Sequence, residues 1–117
     1  MSARPASLLV IFGATGDLAQ RMLLPSLYGL FRDELLPKSF RILGTARSEL
    51  DDAQFRAAVE DTLRKRVPGE DRDDASITRF LSTLHYQNAA LDDATAAQTL
   101  TARIAALRDG DVLFHLS

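Results

Sequence analysis

The stretch Leu8-Leu9-Val10-Ile11-Phe12-Gly13-Ala14-Thr15-Gly16-Asp17-Leu18-Ala19 decides how the rest of the chain is read. Its first five residues are apolar without polar alternation, which suits a strand buried on both faces of a parallel sheet. The run stops at Gly13, and the small residues beyond it are spaced G-x-x-G-x-x-A. Gly13 can make the tight exit from the strand. Gly16 leaves room for a pyrophosphate to approach the backbone, and Ala19 lets the next helix pack close to the sheet. The N–H groups and positive dipole end of that helix then favour an anion. Glycine spacing alone is weak. Here it follows the first strand and opens a long helix in a βαβ unit, the context that gives it meaning. The plainer alternative is a turn that needs a left-handed glycine and nothing else. Asp17 would repel an anion, so the phosphates are expected on the other side of the turn. No Gly-Lys-Ser/Thr follows, which excludes a P-loop.

Outward from this stretch, the pattern is helical from about Asp17 to Arg32, with Leu23, Leu27, Leu30 and Phe31 as one apolar stripe and Leu18 and Met22 beside it. Pro25 lies inside, where a missing hydrogen bond should kink the helix. Phe40 to Gly44 reads as a second strand. Asp51 or Asp52 caps a helix whose Phe55, Val59 and Leu63 share one face, and which ends before Pro68-Gly69. Gly69 to Asp74 reads as a solvated loop, Ser76 to Ser82 as a short helix, and Leu84 to Asn88 as a third strand. Asp92 or Asp93 caps a further long helix with Ala97, Leu100, Ile104 and Leu107 inward. Asp109-Gly110-Asp111 turns the chain into a last strand, Val112 to Leu116. Strands alternating with helices predict an α/β fold, a Rossmann-type parallel sheet of order 3-2-1-4 with helices on both faces. The pattern stops on a strand with no closing helix, so the domain is expected to be incomplete at its C-terminus.

The composition narrows the function. At 117 residues the chain is one domain, residues 1–117. Its 14 Lys and Arg against 16 Asp and Glu give a net charge of −2, which argues against a basic nucleic-acid surface. With no Cys, disulfides, iron–sulfur clusters, thiolate nucleophiles and Cys-based zinc sites are excluded. The longest apolar run, Leu8 to Phe12, is far short of the ~20 residues of a membrane span. Only Arg4 precedes it, and no cleavage-like segment follows, so a secretory signal is not expected. The expectation is a soluble, cytoplasmic protein.

A second site signal lies at the end of the second strand, Gly44-Thr45-Ala46-Arg47-Ser48. In this fold that loop holds the adenosine ribose. An acid there binds the 2′-hydroxyl and selects NAD, whereas an arginine can fork onto a 2′-phosphate and select NADP. The chain offers Arg47 and Ser48, with no acid before Glu49. The guanidinium can also stack on the adenine face. NADP is the favoured cofactor.

These residues carry a resemblance. Leu9 to Ala19, then Arg21-Met22-Leu23-Leu24-Pro25 and Leu27-Tyr28, resemble the start of the glucose-6-phosphate dehydrogenase family. Gly16-Asp17-Leu18-Ala19 is more specific than the generic dinucleotide spacing; short-chain dehydrogenases and epimerases share Gly-Ala-Thr-Gly but usually continue with an apolar residue. Gly44-Thr45-Ala46-Arg47 is similar to the family's 2′-phosphate loop, and Leu113-Phe114-His115-Leu116-Ser117 to a strand that runs on toward the nicotinamide. The resemblance implies cofactor contacts at Gly13, Ala14, Thr15, Gly16, Asp17, Leu18, Ala19, Arg47, Ser48, Ala90, Leu91, Leu116 and Ser117. Two departures stand out. Ala90-Leu91 occupies a place where relatives often have an acid and an apolar residue near adenine, and His115 one where Tyr is common. The resemblance covers nearly the whole chain but only the first quarter of a typical member. The family's Glu-Lys-Pro loop and its Arg-Ile-Asp-His-Tyr-Leu-Gly-Lys segment with the base histidine do not occur in these residues, nor does its substrate domain.

No nucleophile–base–orienter set can be assembled from the chain. His85 and His115 lie in strand-like segments without a partner acid at a convincing spacing and read as packing or edge residues; no metal site is expected. Tyr28 and Tyr86 read as core or rim. The implied function is the NADP-binding domain of an enzyme that oxidises glucose 6-phosphate to its lactone and makes NADPH. The residues here would bind cofactor without catalysing, and glucose 6-phosphate would be a partner only of a full-length protein. No nucleic-acid or membrane partner is expected. A raw last strand could pair with another copy, so a homo-oligomer is a further expectation. The other readings are a freestanding non-catalytic NADP-binding module, a short-chain dehydrogenase- or epimerase-like fragment, and a domain whose glycine turn has structural work only.

Overall fold

The computed structural model describes residues 6–37, 39–89, 93–108 and 110–116. Four strands, β1 (Ala6–Phe12), β2 (Arg41–Ala46), β3 (Leu84–Asn88) and β4 (Asp111–Leu116), form one parallel sheet in the order β3-β2-β1-β4. This is the order expected from the sequence. Val10 pairs with Leu43 on one side and Phe114 on the other. Gly44 pairs with Tyr86.

Alternation along β1 divides the core. Leu9 and Ile11 face helices α1 (Leu24–Arg32), α2 (Asp52–Arg66) and α3 (Asp74–Ser82), which bury Leu24, Leu27, Tyr28, Phe55, Val59, Leu63, Ile77 and Phe80 against that face. Leu8 and Val10 face the other way, toward Leu100 of α4 (Ala94–Leu107). Both faces of β1 are therefore dry, which is why its sequence shows no polar alternation. Inside the first layer Tyr28 packs edge-on to Phe80, ring centroids 5.6 Å apart, while its hydroxyl lies 2.6 Å from Ser76 Oγ. An aromatic this deeply buried satisfies its polar tip locally.

The expected kink at Pro25 takes another form. Ala19–Leu23 is a π-helical turn in which the Leu24 N–H donates to Ala19 O, five residues back, and Pro25 falls in the first turn of α1, where an N–H is dispensable. The extra residue rotates the remainder of the helix by roughly 100°. The buried stripe is consequently Ala19, Leu24, Leu27 and Tyr28, with Leu23 and Phe31 half-buried; Leu18, Met22 and Leu30, expected on or beside the stripe, are exposed. Asp51, not Asp52, caps α2, accepting from Gln54 N (2.7 Å) while Gln54 Oε1 accepts from Asp51 N (3.0 Å). Asp73 caps α3, so that helix begins two residues before the expected Ser76, and the loop ahead of it contains a 3₁₀ turn, Gly69–Asp71. Asp93 caps α4; Asp92 lies outside the described residues. Strand β2 runs two residues further than expected, to Ala46, which carries the ladder to the edge of the site.

At the other edge of the sheet, β4 stacks Phe114 on Phe12 at 6.1 Å and leaves Leu113 and Phe114 more than half exposed. Among the described residues no helix is long and apolar enough to cross a membrane.

Candidate dinucleotide site

The site lies at the carboxyl ends of β1, β2 and β3. Gly13 leaves β1 with φ at 75°, a left-handed conformation that a glycine adopts without strain. Its N–H and that of Ala14 both donate to Thr45 O on β2, at 2.9 and 3.2 Å, so the turn is tied to the neighbouring strand. Gly16 N–H then donates back to Gly13 O at 2.9 Å. A Cβ on Gly16 would sit 3.1 Å from that oxygen, a tight contact that the turn would relieve by giving a few tenths of an ångström. The first intrahelical bond runs from Gln20 N to Gly16 O, which leaves the N–H groups of Asp17, Leu18 and Ala19 without partners inside the helix. A left-handed glycine, a bare second glycine and N–H groups left over by the helix start form a cradle that fits a pyrophosphate.

The residues of the expected glycine fingerprint divide by role. Ala14 and Ala19 are fully buried and act in packing. Asp17 and Leu18 are exposed, and Asp17 pairs with Arg21 one helical turn on, at 3.2 Å. Arg21 thus offsets the Asp17 charge that would oppose an anion at this turn.

Arg47 and Ser48 follow β2 and are exposed. Ser48 Oγ lies 3.4 Å from Thr15 Oγ1, which brings the glycine turn and the arginine loop together across 33 residues of sequence. Between them is a cleft of about 230 Å³ lined by Phe12, Gly13, Thr45, Ala46, Arg47 and Ala89. Its walls are largely apolar and include one arginine, a chemistry suited to an adenosine carrying a phosphate. Thr45 is buried, and its Oγ1 has no hydrogen-bond partner among the described residues. Of the other expected contacts, Ala90, Leu91 and Ser117 lie outside the described residues, and so does the Leu116 side chain, although its backbone pairs with Phe12.

Several contributors carry no signal in the sequence. Gln20 donates to Ala14 O (2.9 Å) and accepts from Thr62 of α2 (2.9 Å), bracing the turn from behind. Gly44 gives the turn its seat: a Cβ there would meet Phe55 Cζ at 2.7 Å and Ala14 Cβ at 2.8 Å. Tyr86 and Asn88 of β3 hydrogen-bond the Arg47–Ser48 backbone. Each acts on a segment distant in sequence, so none has a local signature; Gly44, a glycine inside a strand, was the one available hint.

His85 departs from the sequence expectation, because it has an acid partner after all. Its Nδ1 lies 3.3 Å from Asp52 Oδ2, an oxygen that also accepts from Arg103 of α4 at 2.8 Å, while Asp52 Oδ1 accepts from Tyr86 N at 2.8 Å. Burial alone raises the Asp52 pKa, but the Tyr86 N–H, Arg103 and His85 together carry it below the usual carboxylate value. Burial pushes His85 below its ordinary value, with the Asp52 carboxylate opposing and Arg56 and Arg103 reinforcing. The cluster ties α2, β3 and α4 together on the far side of β3 from the glycine turn. His115 is exposed on β4.

Comparison with known proteins agrees with this geometry. A sequence profile of the family described as glucose-6-phosphate dehydrogenase, NAD binding domain, matches residues 10–117. The chain is 40% identical over 117 aligned residues to glucose-6-phosphate 1-dehydrogenase of Treponema pallidum, covering 94% of this chain and 22% of that protein. To the enzyme of the same name from Zymomonas mobilis it is 45% identical over 89 residues, 76% of this chain and 18% of the other. Among solved structures, a glucose-6-phosphate dehydrogenase in complex with its substrate glucose-6-phosphate superposes with a TM-score of 0.83 at 30% identity, over 100% of this chain and 25% of that one. Glucose-6-phosphate 1-dehydrogenase from Mycobacterium avium gives 0.82 at 33% identity, over 97% and 24%. The chain thus spans between 18% and 25% of the length of these relatives. With the family profile matched from inside β1 to the last residue, and the strand order and glycine turn in place, this chain belongs to the glucose-6-phosphate dehydrogenase family and corresponds to its NAD-binding domain.

Proposed function

We propose that these residues form the NADP-binding domain of an enzyme that oxidises glucose 6-phosphate to its lactone. The observation that carries the reading is the meeting of the glycine turn with the Arg47 loop around one cleft. In this reading the N–H groups after Gly16 hold the pyrophosphate, Phe12, Ala46 and Ala89 enclose the adenosine, and Arg47 takes the 2′-phosphate. Ala90, Leu91, Leu116 and Ser117 are proposed further contacts, the first two near adenine and the last two toward the nicotinamide. NADP supplies the hydride acceptor when bound; these residues hold and orient it. The sugar-binding and proton-abstracting groups are read as lying outside residues 1–117, since the two histidines here are a half-buried hydrogen-bond partner of Asp52 and an exposed edge residue. Glucose 6-phosphate is accordingly a partner of the whole enzyme, a cytoplasmic one in this reading. The exposed β4 edge, with Leu113 and Phe114 open, supports association with a further segment or copy.

The test is a calorimetric titration of NADP and NAD. NADP is expected to bind more tightly, and Arg47→Ala to cost ~2–3 kcal/mol in NADP affinity, tens- to over a hundredfold. Equal NADP affinity before and after the substitution would remove Arg47 from the site. Robust glucose 6-phosphate oxidation by the purified 117-residue chain, falling with Arg47→Ala, would overturn the placement of catalysis elsewhere.

A further inference from the structure

Arg47 can discriminate a 2′-phosphate only if its backbone is held still, and its own strand does not do this. Its guanidinium makes no hydrogen bond or ion pair with any described residue, and β2 ends at Ala46. The restraint comes from the neighbouring strand. Asn88 Nδ2 donates to two successive carbonyls, Arg47 O at 2.7 Å and Ser48 O at 3.0 Å. The Tyr86 hydroxyl donates to the same Ser48 O at 2.7 Å, and Ala89 N to Ala46 O at 2.9 Å. Four hydrogen bonds from residues 86–89 thus fasten residues 46–48, all on backbone carbonyls.

We infer that Asn88, supported by Tyr86, is a positioning residue for cofactor selectivity: it holds the Arg47 loop in the shape that presents the guanidinium to a 2′-phosphate. This rests on the NADP-binding reading above and deepens it. An amide NH₂ carries two hydrogens, one for each carbonyl. An aspartate in its place would set acceptors against acceptors and push the loop away. Burial pushes the Tyr86 phenol upward in pKa, so it remains a donor through the physiological range. A loop already curled around the amide need not be ordered when the phosphate arrives, so less of the arginine–phosphate attraction is lost to fixing the chain.

Loss of Asn88 should act through Arg47 alone, which loss of a merely structural residue would not. Calorimetry with NADP, NAD, 2′,5′-ADP and 5′-AMP would be run on the unaltered protein, Asn88→Ala, Tyr86→Phe, Arg47→Ala and the Arg47→Ala/Asn88→Ala double variant, with circular dichroism on each. Asn88→Ala is expected to weaken NADP and 2′,5′-ADP by about five- to tenfold while changing NAD and 5′-AMP by about twofold or less, the loss of one or two hydrogen bonds felt only at the phosphate. In the Arg47→Ala background it should have no further effect. Tyr86→Phe should shift the NADP-to-NAD ratio in the same direction by a smaller factor, and it decides the matter by the same comparison if Asn88→Ala does not fold. Equal losses for NADP and NAD, or additive losses in the double variant, would overturn the inference. An unaltered protein that binds neither dinucleotide, or binds both equally, would instead overturn the function reading on which it rests.

Discussion

Gly44 on β2 lies so close to Ala14 in the glycine turn that a Cβ built on it would stand 2.8 Å from the Ala14 Cβ, with Phe55 Cζ at 2.7 Å on the same side. The glycine turn therefore rests on bare backbone of the neighbouring strand, and Phe55 of α2 closes over the same spot.

Gly44→Ala should accordingly destabilise the fold and displace the turn together. Overpacking of a tight site costs ~1–3 kcal/mol, and part of the strain falls on Ala14 in the glycine turn. Urea unfolding should show a lower midpoint and titration a weaker cofactor, with Gly44→Val worse in both. A Gly44→Ala protein with unaltered midpoint and affinity would refute this account of the turn's seat.

Gly16→Val should separate the turn from the fold. Its Cβ presses on Gly13 O at 3.1 Å, a local contact on an exposed turn, so the chain should stay folded. The branched side chain fills the space a pyrophosphate needs, so NADP and NAD should be lost alike. Circular dichroism beside a titration tests this, and retained affinity in the folded variant would place the pyrophosphate elsewhere.

Thr45→Val should raise stability. The buried Thr45 Oγ1 has no partner among the described residues, and an unsatisfied buried hydroxyl costs ~1–3 kcal/mol that an isosteric methyl avoids. A thermal midpoint higher by a few degrees is expected. A lower midpoint would show that the hydroxyl has a partner in solution.

His85 should make stability fall in mild acid. Its folded pKa lies below the ordinary 6.5 because burial disfavours the imidazolium. The unfolded chain then binds the proton more readily, so the stability His85 contributes is complete above about 6.5 and declines as pH falls toward its folded value. Asp52, also lowered, adds a second decline below its ordinary 3.8. Denaturation midpoints from pH 7.5 to 5 should fall for the unaltered protein and fall less for His85→Gln. Identical slopes would exclude His85 as the source.

Much of the candidate site was legible because its logic is local. A left-handed glycine, a small residue where a helix meets a sheet, and an arginine just after a strand each announce themselves within a few residues. Gln20, Tyr86 and Asn88 did not, because they serve backbone carbonyls of other segments, and amide and phenol side chains carry no sign of such a destination. Nor did the Asp52–His85–Arg103 cluster, whose members are 33 and 18 residues apart along the chain and meet only when β3 lies between α2 and α4.

The class of fold, the strand order and the glycine turn are all written along the chain, since hydrophobic period, capping residues and glycine spacing report on the nearest few residues of backbone. Which face of the first helix is buried emerges only in three dimensions, because the π turn at Ala19–Leu23 adds a residue to one turn and rotates everything beyond it. The same holds for the need to keep Gly44 bare and for the hold that β3 exerts on the Arg47 loop. Those outcomes depend on distances between strands that touch only after the sheet has formed, and no period along a single strand encodes them.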